Sequence, residues 1–149
     1  MNLLESLISK NPPLVLAFLA LTTVQIFKFI VTIVTTGRVD FRRLAGMGGM
    51  PSSHAASGAA LATSIGLEAG WDSPLFGVAA FFASILMYDA AGIRRAAGRQ
   101  ARVLNRVIDD LKAHHSVEGE RLIELLGHTP LEVFVGTAYG VILALVLHP

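Results

Sequence analysis

Cysteine is absent from this chain, which removes disulfide bridges and thiolate metal sites together. Charge is scarce as well. Asp, Glu, Lys and Arg make up 15% of the 149 residues, against about 25% in an ordinary soluble domain. There is no helical His-Glu-x-x-His pair and carboxylates are few, so neither a metal centre nor a cofactor is expected. No repeat or low-complexity tract is visible, which excludes a solenoid. A cleavable signal peptide is excluded too: Glu5 and Lys10 precede an apolar run of more than 20 residues, too long for a signal core.

What the chain has in excess is hydrocarbon. Hydrophobic residues reach 53% and mean hydropathy is +0.60. The expected fold class is all-α: one integral membrane domain over residues 1–149, a bundle of about four transmembrane helices. The spans fall at about 13–36, 55–70, 74–93 and 130–148. The second is rich in Ala and Gly and short for a hydrocarbon core of roughly 30 Å. Residues 94–127 read as two polar surface helices.

Basic residues set the orientation. The first loop holds Arg38, Arg42 and Arg43, and the third holds Arg94, Arg95, Arg99, Arg102, Arg106, Lys112 and Arg121. The second, at 70–73, holds none. By the positive-inside rule the first and third loops are cytosolic and both termini lie outside. Arg95, Arg99, Arg102 and Arg106 recur at helical spacing opposite Ile93, Ala97, Leu104, Ile108 and Leu111, as on a juxtamembrane helix resting on anionic lipid. The bilayer is thus one partner; nucleic acid is not expected.

Two short motifs lie on the cytosolic side. Gly48-Gly49-Met50-Pro51-Ser52-Ser53-His54 precedes span two. Ser52 or Ser53 is a natural N-cap, and an uncovered helix start would offer backbone N–H groups to a phosphate. Gly127-His128-Thr129-Pro130-Leu131-Glu132 opens span four, with Thr129, Pro130 and Glu132 spelling a capping box. That box accounts for Glu132 structurally; the alternative is that its carboxylate orients the His128 imidazole. His54, Gly58, Ala62 and Gly66 form one small-residue row, and Glu132, Gly136, Gly140 and Ala144 another. Either the rows pack together and bring the two histidines to neighbouring helix starts, or each serves a homo-oligomer interface.

Three more groups point to this surface. Lys28 lies about 12 Å inside span one at 1.5 Å per residue. An intramembrane lysine is a functional candidate, with snorkelling as the plain alternative. Asp89 sits at the inner end of span three, and Arg94 and Arg95 are placed to bind a substrate phosphate. His114 and His115 fall between the surface helices and, with His148, receive no role.

Pro51-Ser52-Ser53-His54, Tyr88-Asp89-Ala90-Ala91-Gly92-Ile93-Arg94-Arg95 and the stretch from Gly127 to Glu132 resemble a divergent branch of the type 2 phosphatidic acid phosphatase and vanadium haloperoxidase superfamily, found in bacteria and plants. The resemblance covers nearly the whole chain. It implies a metal-independent phosphatase in a bacterial plasma membrane, acting on a lipid or isoprenoid phosphate or diphosphate at the cytosolic surface. It further implies that His128 is the nucleophile, His54 the proton donor to the leaving oxygen, and Glu132 the group orienting His128. Lys28, Arg38, Ser52, Ser53, Arg94 and Arg95 would hold phosphate, supported by Asp89. The pattern departs from the superfamily in places. Lys28 and Arg38 are ten apart rather than seven, with no proline following, and Ser53 replaces a glycine. The arginine expected six positions before the nucleophile falls at Leu122, beside Arg121. A non-catalytic module binding anionic lipid or a partner protein is the competing reading; a small transporter is disfavoured by the lone intramembrane lysine and the lack of an inverted repeat.

Overall fold

Prolines and short polar side chains write most of the helix starts. Helix α1 (Pro12–Thr36) opens with Asn11 accepting from the Leu14 N–H at 3.2 Å, and prolines fill its first positions. It ends at Gly37, whose φ of 67° suits a residue without Cβ. Helix α2 (Ser53–Ala69) is capped by Ser52 and α3 (Pro74–Ala91) by Ser73. Helix α4 (Ile93–His114) follows α3 after Gly92 alone. Helix α5 (Pro130–Leu147) starts with the complete capping box of Thr129 and Glu132. The computed structural model describes residues 10–39, 41, 49–114 and 127–149, without the side chains of 93–97 and 110–114. Gly48, Arg42, Arg43, Arg121 and the expected second surface helix lie outside the described residues, as do the side chains of Arg94 and Arg95.

The architecture is all-helical among the described residues, and α2 is its axis. Helices α1, α3 and α5 all pack on α2, whereas α1 and α3 do not touch each other. Residues buried on α2 run around most of its circumference: Ala55, Ala56, Gly58, Ala59, Ala62 and Ser64 among them. The outer helices point their large side chains away from this centre; Val34, Phe81, Phe134 and Val146 are each more than two-thirds exposed. That inside-out arrangement, small residues within and bulky hydrocarbon without, is the one a lipid solvent favours. Three helices, α1, α3 and α5, are long and apolar enough to cross a membrane. The fourth expected span, α2, has 17 residues and does not meet that standard. Enclosed by its neighbours, it has little need of hydrophobic bulk.

The small-residue rows pair differently from expectation. A Cβ on Gly136 would strike the Ser52 carbonyl oxygen, and one on Gly140 that of Ala56. The α5 row therefore packs on Ser52, Ala56 and Ala60, joined in one core with Leu16, Ala20, Val24 and Ala144. The row through Gly58, Ala62 and Gly66 instead faces Ala79, Ala83 and Leu86 of α3 and the ring of Trp71. Both rows are buried within one chain.

Helix α4 has three faces. Arg99, Arg102 and Arg106 are exposed; Val103, Leu104 and Val107 form an exposed apolar stripe; Gly98, Ala101 and Asn105 are buried. His114, expected in a loop, is its last helical residue.

Candidate functional site at the joined helix ends

Three helix ends meet at one surface: the C-terminus of α3 and the N-termini of α2 and α5. Two main-chain hydrogen bonds stitch them. The Ser52 N–H donates to the Glu132 carbonyl at 3.0 Å, and the His128 N–H donates to the Ala90 carbonyl, also at 3.0 Å. The second satisfies a carbonyl in the last turn of α3, which has no partner within its own helix. The first depends on Gly136, since any side chain there would keep the Ser52 backbone away. The loops before α2 and before α5 thus emerge on the same side, as the charge pattern predicts.

His128 is buried, 3% exposed, and its Nδ1 lies 3.1 Å from Glu132 Oε2. The same oxygen accepts the Thr129 N–H at 2.9 Å, while Thr129 Oγ1 accepts the Glu132 N–H at 3.3 Å. The two roles weighed for Glu132, cap and imidazole orienter, are both performed, by one oxygen. With Nδ1–H donating to a carboxylate, the imidazole lone pair resides on Nε2. Lys28 is half-buried on α1, and the charge of Glu132 acts on it. An imidazole and a carboxylate are therefore paired at the start of α5, with the Lys28 ammonium near enough to feel the carboxylate's charge.

The remaining expected residues are placed less uniformly. Ser52 is fully buried; its N–H holds Glu132 and its Oγ accepts from the Ala55 N–H at 3.4 Å. Ser53 is the first helical residue and is 4% exposed. The start of α2 is consequently covered by α5 rather than open to an anion, because Gly136 lets the two backbones close up. His54 is half-buried on α2, two residues beyond Ser52 and so about 200° around the helix axis from the row that meets α5. It belongs to the Gly58 row, which faces α3, the helix whose Ala90 carbonyl holds the His128 N–H. Asp89 is half-buried beside Ala90, the residue that holds the His128 N–H. Arg38 is exposed beyond the Gly37 cap, about 12 Å or more along the chain axis from Lys28. The two are thus split between the body of α1 and the chain beyond its end.

Two features had no place in the sequence reading. The Ala90 carbonyl carries no sequence signal, since every residue has one. The hydrogen bond between Thr23 Oγ1 and Tyr139 OH, 2.7 Å, joins α1 to α5 within the apolar region. Two polar side chains inside separate apolar spans were a legible signal for it.

Residues 9–143 match the Divergent PAP2 family. The chain is 41% identical over 148 residues to the membrane protein YuiD of Bacillus subtilis (strain 168), an alignment covering 92% of this chain and 94% of that protein. No solved structure matches. A family match over most of the chain, and a membrane-protein relative aligned almost end to end, agree with the apolar helices and the Pro51–His54 and Gly127–Glu132 motifs: this membrane protein belongs to the divergent PAP2 family.

Proposed function

We infer that the protein is a metal-independent phosphatase of lipid or isoprenoid phosphates or diphosphates, working through a phosphohistidine on the cytosolic side. The observation that carries this reading is the buried His128–Glu132 pair. Nε2 of His128 attacks phosphorus, the P–O bond to the lipid breaks, and the departing oxygen takes a proton from His54. Water then hydrolyses the N–P bond, releasing phosphate and restoring the imidazole. Glu132 holds the tautomer and offsets the positive charge that develops on the ring, as the carboxylate does in other His-carboxylate pairs. Lys28 supplies positive charge against the transferring phosphoryl group, within a surrounding that screens poorly.

A second reading rests on the same residues. Glu132 completes a capping box and the His128 main chain closes the end of α3, which accounts for both without chemistry. On that reading the protein is a binding module for anionic lipid or a partner protein. Phosphate release from a panel of lipid phosphates, by protein purified into nanodiscs, separates the two. Turnover lost in His128→Ala supports the phosphatase; no release from any substrate leaves the module.

A further inference from the structure

Helices α1 and α5 both pack on α2, but between them runs an apolar cleft of about 410 Å³. Val24, Phe27, Met50, Pro51, Val135 and Tyr139 line it. Val24 is buried at its floor, whereas Phe27 and Met50 are each about half exposed and frame an outward-facing mouth. The Thr23–Tyr139 hydrogen bond closes its deep end. Its other end is charged. Lys28 follows Val24 by one turn on the same face of α1, and Glu132 precedes Val135 by three residues on the same face of α5. From Glu132 to Tyr139 is seven residues, about 10 Å of helix.

We propose that this cleft seats the hydrocarbon chain of an anionic amphiphile entering sideways from the bilayer, with its phosphate head at Lys28 beside the His128–Glu132 pair. The identity of the head rests on the phosphatase reading; the seat for the chain does not. A hydrocarbon chain gains little by moving from lipid into an apolar cleft, since both surroundings are equally apolar. The chain is therefore held only if its head is anchored, and the half-buried ammonium of Lys28 at the charged end of the cleft provides the anchor. The sorting is by charge first and by fit second. An alkyl phosphate is retained; the alcohol of the same length diffuses away.

Photolabelling in nanodiscs tests this. The probe is a decyl phosphonate carrying a diazirine at its sixth carbon, which resists hydrolysis; decanol with the same diazirine is the neutral control. Mass spectrometry locates the adducts. The phosphonate is expected to label Phe27, Met50, Val135 or Tyr139, with at least tenfold less labelling in the presence of excess decyl phosphate but not decanol. Val135→Trp, which fills the cleft, should reduce the labelling similarly. Phosphonate adducts spread over outward residues such as Phe134 and Val146 in the same pattern as the decanol probe would overturn the proposal. Labelling unmoved by decyl phosphate in the unmutated protein overturns it as well, whatever the variant's folding. Cleft labelling by a protein that releases no phosphate from any lipid supports the cleft and removes the phosphatase reading.

Discussion

Gly136 lies against the backbone of Ser52, and only the lack of a side chain lets the Ser52 N–H reach the Glu132 carbonyl at 3.0 Å. One hydrogen atom in place of a methyl group thus fixes how the α2 start docks onto the α5 start. The carboxylate of the same Glu132 holds His128, so the packing contact and the chemical pair share one residue.

Gly136→Ala should destabilise the protein by about 1–3 kcal/mol, the usual range for overpacking a tight interior. The backbone it strikes cannot rotate away as a side chain would. Gly77 is also helical, but a Cβ there meets nothing within 4 Å. Gly77→Ala should be neutral or slightly stabilising, because Ala is the better helix former by about 1 kcal/mol. Unfolding of the two variants in mild detergent, followed by circular dichroism, gives the comparison.

Glu132→Gln separates capping from catalysis. Glutamine still accepts the Thr129 N–H and preserves the capping box. It removes the charge that stabilises a positively charged His128 ring. Stability should stay within about 1 kcal/mol of the unmutated protein, while phosphate release falls by about 10²–10⁴-fold, the range seen when such a pair loses its carboxylate. A fall in stability with turnover retained would show Glu132 to be a cap alone.

The helix ends and the two motifs were legible because capping is local chemistry. Asn11, Ser52, Ser73 and Thr129 each sit where a helix begins, and each side chain does what its position predicts. The packing register was not legible for a physical reason. Helix α2 carries small residues on nearly every face, so its sequence offers two equivalent rows and no preferred direction. The choice fell to its neighbours: Gly136 and Gly140 closed on Ser52 and Ala56, and Ala83 on Gly58. His54 went with the Gly58 row, toward α3. The bond from His128 to Ala90 was equally hidden, since it uses only backbone.

Topology is open to direct measurement because there is no native cysteine to confuse labelling. Arg38 and Asp72 are both exposed and lie at opposite ends of the bundle. Single cysteines at these positions, in otherwise unmutated protein, should label from opposite faces of intact cells, with position 38 protected until the membrane is permeabilised. Labelling of both from outside would place the His128 surface elsewhere than the cytosol.

A histidine nucleophile needs no metal. Turnover is expected to survive EDTA and to be blocked by vanadate, whose trigonal bipyramidal form imitates the phosphoryl group in flight. A strict requirement for Mg²⁺ would put the chemistry on bound metal and water in place of His128.

The two histidines should fail differently. On the phosphohistidine reading His128 attacks phosphorus, so His128→Ala removes the step itself whatever the leaving group. On the same reading His54 donates a proton to the departing oxygen, and that contribution depends on how much the oxygen needs one. General acid catalysis is worth about 10²–10⁴-fold and weakens as the leaving group becomes more acidic. A lipid alkoxide needs the proton badly; a nitrophenolate hardly does. His54→Ala should therefore lose alkyl phosphate hydrolysis and keep much of the aryl phosphate activity, while His128→Ala loses both. An acid-labile phosphoenzyme should form in the unmutated protein and be absent from the His128 variant. Equal loss of both substrates in both variants would mean that His54 supports the fold and that another group, or water, protonates the leaving oxygen. Full activity in His128→Ala would end the phosphohistidine mechanism.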